Sequence, residues 1–314
     1  MKVPHNVLSN QRILVTGGAG FIGSNLANHL APDNDVVVVD DCSLGIPENL
    51  DDAVTFNRES VLAEDLPTDV DVVFHLAALS SYNLCEERPR ECSRVNVEGF
   101  VNVVDQARAD GCDTVVYAST SSVYDSEAIP SSEDEQVEAN TAYEASKLAR
   151  ERYAESFSNH YGMTLAGLRF FSVYQGYGGA EEHKEEFANV LSQFADDIAA
   201  GRSPKLYGDG TQTRDFTHVS DIVRATELAA THELDGIYNV GTGERYTFNT
   251  VVERLNEALG TDVAPTYVDN PIQESVYVEH TCADYSKLQA ATGWEPEVSF
   301  EAGIERLCEP YTGQ

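Results

Sequence analysis

The chain has 314 residues, enough to bury a large core in one large α/β unit or in two domains. It carries 53 Asp and Glu against 20 Lys and Arg, which gives a formal net charge of −33 at pH 7. A polyanion of this density repels nucleic acids and anionic membranes, so we expect neither as a partner.

The acidic residues are spread along the chain rather than gathered in one tail, so the whole surface is expected to be acidic. Self-repulsion at this charge destabilises a compact state, and salt relieves it because the Debye length falls to about 3 Å at 1 M. We interpret the composition as an adaptation to molar intracellular salt. An ordinary acidic mesophilic protein is the alternative.

The cysteines show neither CxxC pairs nor nearby histidines, so neither a zinc site nor a disulfide framework is predicted. We interpret them as small apolar residues in a reducing cytoplasm. The six cysteines are Cys42, Cys85, Cys92, Cys112, Cys282 and Cys308. Residues 1–10 lack the apolar core of a signal peptide, and no stretch approaches the roughly 18 apolar residues of a membrane helix. A soluble cytoplasmic protein is therefore expected.

Short β-branched runs alternate with longer helical patterns in the first half of the chain, which is typical of a parallel sheet covered by helices on both faces. The expected fold class is α/β, with a doubly wound parallel sheet. Strands are predicted at 12–16, 35–40, 54–57, 71–76, 114–118 and 164–169, and helices at about 22–30, 88–109 and 142–161.

After residue 169 the pattern loosens into a Gly-rich stretch at 175–179, which indicates a crossing into a second lobe. Further elements are predicted as helices at about 184–200, 248–259 and 301–308 and strands at 205–208 and 236–240. We assign residues 1–169, with about 215–242 returning to them, to a dinucleotide-binding domain. Residues 170–214 and 243–314 are assigned to a smaller C-terminal α/β substrate lobe.

The run RILVTGGAGFIG places Gly17, Gly20 and Gly23 in the first strand-to-helix turn. Without Cβ atoms such a turn is tight, approaches a pyrophosphate closely and packs closely against its helix. The N-terminus of that helix offers free N–H groups to phosphates. The pattern predicts a Rossmann-type dinucleotide site.

Asp40 ends the next predicted strand, about 20 residues on, where a carboxylate binds a ribose 2′-hydroxyl. The same carboxylate repels a 2′-phosphate, and residues 41–45 contain no Arg or Lys. NAD is therefore favoured over NADP as the cofactor. His75, at the end of the fourth predicted strand, is interpreted as structural.

Tyr143 and Lys147 are four residues apart, which places both on one helix face. A free phenol has a pKa near 10, and a neighbouring ammonium lowers it, so that the phenolate becomes usable as a base near neutrality. Thr120 follows the fifth predicted strand, and from there its hydroxyl can hydrogen-bond a substrate oxygen.

With these motifs, residues 12–304 resemble the extended short-chain dehydrogenase/reductases and, among them, the NAD-dependent nucleotide-sugar epimerases of the UDP-glucose 4-epimerase type. Asn96 within 95–99, the segment 168–174, Asn189 within 188–190 and the segment 207–216 also match. The resemblance implies a nucleotide-diphosphate sugar as substrate, most simply a UDP-sugar. It also implies a homodimer formed through the helices at 88–109 and 142–161, which a solution mass of one chain would contradict.

By this resemblance Thr120 aligns with the catalytic Ser/Thr, Tyr143 with the base and Lys147 with the family lysine. The implied cofactor-binding residues are Gly17, Gly20, Phe21, Ile22, Gly23, Asp40, Ser43, Ser60, Val61, Leu76, Ala77, Ala78, Asn96, Ser119, Tyr143 and Lys147. The implied substrate-binding residues are Ser80, Thr120, Ser121, Ser172, Asn189, Tyr207, Arg214 and Thr281.

Three of these residues have ordinary alternatives. Arg214 suits a diphosphate because its planar fork makes bidentate bonds, and the alternative is an ion pair with Asp215 or Asp209. Asn189 is either a diphosphate ligand or an amide on a helix surface. Thr281 aligns with a size-gating position where a small residue admits N-acetylhexosamines, or else it is a packed threonine.

The residues after Thr120 favour one reaction over its relatives. Related dehydratases place an Asp-Glu pair there and related decarboxylases a Glu, whereas this chain has Ser121 and Ser122. The sequence therefore disfavours elimination and decarboxylation and favours reversible oxidation of one sugar hydroxyl, which is the chemistry of a 4-epimerase. The alternatives are a net dehydrogenase, an epimerase acting at another carbon, or a regulator that binds a dinucleotide without catalysis.

Four positions depart from the family pattern. Ser60 stands where many relatives have an Asp near the adenine, Ser172 replaces an Asn, and Gln175 replaces a Gly. Glu274 falls where bacterial relatives carry a diphosphate-binding Arg. The sugar-facing loop and the diphosphate contacts are therefore expected to differ from those of the relatives.

The salt hypothesis predicts that the melting temperature falls when KCl is lowered from about 2 M to 0.1 M, because charge repulsion is then unscreened. Thermal melting followed by circular dichroism measures it, with sucrose as a salt-free stabiliser for comparison. A melting temperature unchanged over that range of KCl would show that the acidic surface is no salt adaptation.

Overall fold

The computed structural model describes residues 8–125, 129–176, 179–273 and 276–313, without the side chains of residues 185 and 186. In chain order the strands are β1 (Arg12–Thr16), β2 (Asp35–Asp40), β3 (Thr55–Arg58), β4 (Val72–His75), β5 (Thr114–Thr120), β6 (Thr164–Phe170), β7 (Val173–Tyr174), β8 (Lys205–Tyr207), β9 (Thr213–Arg214), β10 (Thr217–His218), β11 (Gly236–Val240), β12 (Tyr246–Thr247) and β13 (Thr266–Val268). The α-helices are α1 (Phe21–Leu30), α2 (Tyr82–Glu87), α3 (Pro89–Ser93), α4 (Gly99–Asp110), α5 (Ala142–Tyr161), α6 (Val190–Ala199), α7 (Val219–Thr231), α8 (Phe248–Leu259), α9 (Ser286–Thr292) and α10 (Phe300–Thr312).

The central sheet has seven parallel strands in the order β11-β6-β5-β4-β1-β2-β3. From β1 the chain builds outward through β2 and β3, then returns to place β4 on the other side of β1. A crevice opens at the carboxyl ends of strands where the order reverses in this way, and in such sheets it is the usual ligand site. The predicted doubly wound parallel sheet is confirmed.

Successive residues of the central strands face opposite layers of helices, which is why these strands are apolar throughout. Ile13 packs into a core with α1 and α7, whereas Leu14 packs into a second core with α4 and α5. A third core lies in the C-terminal part of the chain, where α6, α8 and α10 contribute residues such as Leu191, Val251 and Leu307.

Two predicted helices differ from those observed. The single helix expected at 88–109 consists of α3, a π-helical turn at Arg94–Glu98 and α4, and a separate short helix, α2, precedes it. The helix expected at 184–200 begins only at Val190, after a 3₁₀ segment at Glu182–Phe187. The break occurs because the Asn189 side chain caps α6 by accepting the Leu191 amide.

The prediction that no disulfide forms is wrong, because Cys85 and Cys92 are joined. α2 ends just before α3 begins at Pro89, and the chain turns back there, so that the two Cα atoms lie 5.1 Å apart. A spacing of seven residues has no recognised disulfide signature, and the pairing depends on this helix–helix turn. The other four cysteines are free.

Two absences hold for the residues with described coordinates. No group of three or more His, Cys, Asp or Glu side chains there is placed to hold a metal ion. None of the helices in those ranges combines the length and the apolar character of a transmembrane segment.

A buried ion pair ties α5 to the sheet. Arg169 on β6 donates to both carboxylate oxygens of Glu151 at 2.9 and 2.7 Å, and the Ser119 hydroxyl at the end of β5 donates to the same carboxylate at 2.6 Å. The two charged side chains are only 4% and 6% exposed. One carboxylate therefore joins two strands and the long helix.

Removing one partner of this pair should be costly, since the other charge stays buried. Glu151→Ala is expected to lower the free energy of unfolding by about 3–5 kcal/mol. Glu155→Ala on the same helix breaks an exposed pair with Arg152 and should cost about 1 kcal/mol or less. Urea unfolding of both variants measures the difference. Equal losses would mean that the buried pair does not anchor α5.

Candidate active site

A cavity of about 480 Å³ lies at the carboxyl ends of β1 and β4. Its wall includes the first strand-to-helix turn, the ends of β2, β4 and β5, and the start of α5. Seventeen of the residues singled out in the sequence line it: Gly17, Gly20, Phe21, Ile22, Gly23, Asp40, Ser43, Val61, Leu76, Ala77, Ala78, Ser80, Ser119, Thr120, Tyr143, Lys147 and Ser172. Seven others do not, namely Ser60, Asn96, Ser121, Asn189, Tyr207, Arg214 and Thr281.

The glycine turn is shaped by close backbone contacts. Gly17 has a φ of +71°, and a Cβ there would lie 2.5 Å from the Ala77 nitrogen. A Cβ on Gly23 would lie 2.2 Å from the Gly17 carbonyl oxygen. Gly20 at the N-cap provides no capping side chain, so the first backbone N–H groups of α1 are available to hydrogen-bond an anion. The turn has the form that a dinucleotide pyrophosphate requires.

Asp40 lies beside this turn at the end of β2, and its carboxylate accepts the amides of Ala19 at 3.0 Å and Cys42 at 2.8 Å. Burial raises the pKa of Asp40, while these two hydrogen bonds oppose the rise. The side chain is held against the glycine turn and lines the cavity. Its position fits a hydrogen bond to the ribose of NAD. Ser60, by contrast, uses its hydroxyl to accept the Leu62 amide at 3.3 Å.

Three functional groups meet at the opposite wall. α5 begins at Ala142, so Tyr143 lies in its first turn, and the Tyr143 hydroxyl makes a hydrogen bond with Thr120. The Lys147 Nζ donates to the Ala118 carbonyl at 3.1 Å and lies 5.7 Å from the centre of the Tyr143 ring. The predicted constellation is therefore assembled around one cavity. Thr120 also lies 2.9 Å from the Ser122 hydroxyl.

Burial dominates the electrostatics of this group. Burial raises the pKa of Tyr143, and the Thr120 hydrogen bond and the Arg150 charge oppose that rise. Burial also holds the pKa of Lys147 well below its ordinary value, which disfavours the ammonium form. That Lys147 lowers the pKa of Tyr143 stays a prediction.

Two buried side chains shape the cavity without lining it. Asn96 accepts the Leu79 amide at 2.8 Å and donates to the Leu79 carbonyl at 3.1 Å, which fixes the loop after β4. Its amide also donates to Ser146 on α5 at 2.9 Å. His75 is buried with its Nδ1 2.9 Å from the Thr16 hydroxyl, in agreement with a structural role.

Arg214 makes neither of the ion pairs considered as its alternative. Its Nη1 donates to the carbonyls of Thr213 at 2.8 Å and Glu279 at 2.9 Å. Asp215 accepts amides including that of Thr242, and Asp209 accepts from Thr211. The partly buried guanidinium is thus held by carbonyls and compensated by neither aspartate.

The remaining predicted substrate residues have local partners. Asn189 is not a plain surface amide, because besides capping α6 it donates to the Val173 carbonyl at 3.1 Å. The buried Thr281 hydroxyl accepts the Asp215 amide at 3.2 Å. Tyr207 ends β8, and Ser121 begins a 3₁₀ turn. Glu274 lies outside the described residues.

Several cavity residues were missed in the sequence. Arg88 lies just before α3 and Glu91 lies on it. His183 and Lys184 come from the 3₁₀ segment before α6, and all four line the cavity. The Lys184 Nζ lies 5.7 Å from the centre of the Phe21 ring, and burial lowers the pKa of Lys184. The chain has only five lysines, and this rarity is the sequence feature that could have drawn attention to Lys184.

Comparison with known proteins agrees with this geometry. The sequence model of the NAD dependent epimerase/dehydratase family matches residues 13–241. A putative UDP-glucose 4-epimerase of Methanocaldococcus jannaschii is 33% identical over 303 residues, covering 94% of this chain and 96% of the relative.

Solved structures agree over nearly the whole chain. A UDP-N-acetylglucosamine 4-epimerase from Methanobrevibacter ruminantium, in complex with UDP-N-acetylmuramic acid, is 30% identical with a TM-score of 0.89, covering 98% of this chain and all of the other. A UDP-glucose 4-epimerase of Thermus thermophilus in complex with NAD is 32% identical with a TM-score of 0.84, covering 96% and 99%. The chain therefore belongs to the NAD-dependent epimerase/dehydratase family of extended short-chain dehydrogenase/reductases, and its cofactor is NAD.

Proposed function

We propose that the protein is a nucleotide-sugar 4-epimerase that interconverts UDP-hexoses of the glucose and galactose series. The observation that carries the proposal is the meeting of Thr120, Tyr143 and Lys147 in the cavity that also contains the glycine turn and Asp40. A base, a hydroxyl donor and a dinucleotide site around one space are what reversible oxidation of a sugar hydroxyl requires.

The glycine turn and Asp40 would hold the pyrophosphate and a ribose of NAD, and Lys147 would donate to the other ribose. Bound NAD would supply the acceptor, and then the donor, of the hydride at C4 of the sugar. Tyr143 takes the proton of the 4-hydroxyl as this hydrogen leaves and gives it back when the carbonyl is reduced. Thr120 holds the same oxygen by a hydrogen bond and so fixes its distance from the phenol.

Inversion requires the 4-keto sugar to turn and present its other face to Tyr143 and Thr120. The substrate is therefore expected to be anchored mainly through its diphosphate. Arg88, His183 and Lys184 contribute basic groups to the cavity wall, which also carries the carboxylates of Asp40, Asp41, Glu59 and Glu91. Asn189 and Arg214 remain proposed diphosphate ligands from the C-terminal lobe.

The choice of epimerisation over elimination or decarboxylation rests on the turn after β5. Thr120 is followed by Ser121 and Ser122, so no carboxylic acid stands there to expel a hydroxyl. Turnover of N-acetylated hexoses through a small residue at Thr281 stays a prediction, and Thr281 is buried outside the cavity lining. A panel of UDP-glucose, UDP-galactose, UDP-N-acetylglucosamine and UDP-N-acetylgalactosamine, read by NMR, identifies the substrate. Stoichiometric accumulation of NADH with any of them would instead indicate a net dehydrogenase.

Tyr143→Phe removes one hydroxyl and leaves the ring, so epimerase turnover should fall by about 10²–10⁴-fold, as expected for a lost acid–base group. Tyr153→Phe is the matched control, because Tyr153 lies on the same helix and is 45% exposed. Turnover of the sugar that the panel identifies is measured by NMR. Tyr143→Phe activity within threefold of wild type would exclude Tyr143 as the base.

A further inference from the structure

Gln175 departs from the family pattern, and the proposed mechanism does not use it. Its side-chain amide forms a reciprocal pair with that of Asn25 on α1. The Gln175 Nε2 donates to the Asn25 Oδ1 at 3.0 Å, and the Asn25 Nδ2 donates to the Gln175 Oε1 at 3.1 Å. Among the described residues, the Gln175 side chain hydrogen-bonds only Asn25. The pair therefore joins the chain just after β7 to the helix that follows the glycine turn.

Both partners of this pair have close neighbours. The Asn25 Nδ2 also donates to the carbonyl of Phe21, the first residue of α1, at 2.9 Å. Phe21 lines the cavity. On the other side, a Cβ on Gly179 would lie 2.6 Å from the Gln175 Cδ. The Gln175 amide therefore lies between α1 and the backbone that leads toward the second lobe.

Residues 179–187, here named the crossing segment, form one wall of the cofactor cavity. His183 and Lys184 line the same cavity as the glycine turn. The His183 Nδ1 lies 3.1 Å from the Asn49 Nδ2, and the Lys184 Nζ lies 5.7 Å from the centre of the Phe21 ring. The crossing segment therefore lies against both the start of α1 and the chain after β2.

Glu181 holds the backbone on both sides of the crossing segment. Its carboxylate is fully buried, at 0% exposure, and accepts the backbone amides of Gln175 at 2.7 Å, Gly176 at 2.9 Å and Asn189 at 2.6 Å. It also accepts the Ser192 hydroxyl of α6 at 2.9 Å. None of these bonds reaches α1, so the attachment to the cofactor half of the molecule depends on the Gln175 side chain.

The position of the crossing segment matters because of the charge that it carries. A cation held next to the start of α1 adds to the attraction that the free N–H groups of the helix exert on a pyrophosphate. If the crossing segment moved away from α1, the site would lose Lys184 and one wall would open to water. A dinucleotide held there would then leave more easily.

We propose that the Gln175–Asn25 pair retains NAD, because it keeps the crossing segment in place as a wall of the cofactor site. Both residues act through the crossing segment and touch no reacting atom, so they are positioning residues. In the proposed function, retention lets the reduced cofactor wait while the keto sugar turns. The inference itself needs only the NAD site, so it stands or fails independently of the sugar chemistry.

Release of NADH in the absence of sugar tests this inference. Protein loaded with NADH is mixed with excess NAD in a stopped-flow instrument, and the change in NADH fluorescence gives the dissociation rate. Gln175→Met keeps the length of the side chain and removes both hydrogen bonds of the pair, and Asn25→Ala removes the same two. Each substitution should speed release by about tenfold, the effect expected for one or two lost hydrogen bonds.

The double variant shows whether the two residues act as a pair. Because either substitution alone breaks both hydrogen bonds, Gln175→Met combined with Asn25→Ala should release NADH about as fast as Asn25→Ala alone. Effects that multiply, to about a hundredfold, would show two independent contributions and overturn the proposal. A release rate of Gln175→Met equal to that of wild type would overturn it as well.

Gln289→Ala is the control, because Gln289 bonds Glu295 outside the cavity lining, and it should leave NADH release unchanged. Melting curves of the same proteins record any loss of stability. A Gln175→Met protein that melts lower but releases NADH at the wild-type rate would assign the pair to folding alone and contradict the inference. If Asn25→Ala does not fold, the release rate of Gln175→Met decides the matter by itself.

Discussion

The attachment of α5 to the sheet is the constraint on which the rest of the site depends. Tyr143 and Lys147 can face the cavity only if the helix is fixed in both rotation and depth. The Glu151–Arg169 pair fixes it against β6, and the hydrogen bonds from Arg150 to backbone carbonyls fix it against the loop after β4. Both interactions bury charge, and removing one partner of a buried pair is strongly destabilising.

The cavity brings basic groups together in a protein that is strongly acidic as a whole. The chain has a net charge of −33, and the cavity wall carries Arg88, Lys147, His183 and Lys184 together with the carboxylates of Asp40, Asp41, Glu59 and Glu91. Burial holds the pKa of Lys147 and Lys184 below their ordinary values, so each can lose or share a proton more readily than a surface lysine. A diphosphate ligand entering this space would restore their charged forms by its own negative charge.

Features encoded by local sequence were predictable. The β-branched runs identified the strands of the central sheet. The glycine spacing identified the turn, because the φ of +71° at Gly17 and its close approach to Ala77 leave no room for a Cβ atom. The four-residue spacing of Tyr143 and Lys147 likewise needed only helix geometry. Thr120 was found by its place after a strand.

Features that depend on distant partners were not predictable in the same way. The Cys85–Cys92 bond requires the turn between α2 and α3, and the break before α6 depends on Asn189 acting as a cap instead of a helix residue. Arg150 resembles any helical arginine until Ala77 and Asn96 are brought to it by the fold. The burial that holds the pKa of Lys147 below its ordinary value likewise cannot be read from spacing.

In the proposed reaction Tyr143 moves only an O–H proton, while the hydride on C4 leaves and returns to the same sugar. Epimerisation in D₂O with product analysis by NMR tests it directly. The account predicts inverted product with no deuterium on C4, because only the phenol and the sugar hydroxyl exchange with solvent. One deuterium at the inverted carbon would contradict it, since that carbon would then have been deprotonated by a base in exchange with water.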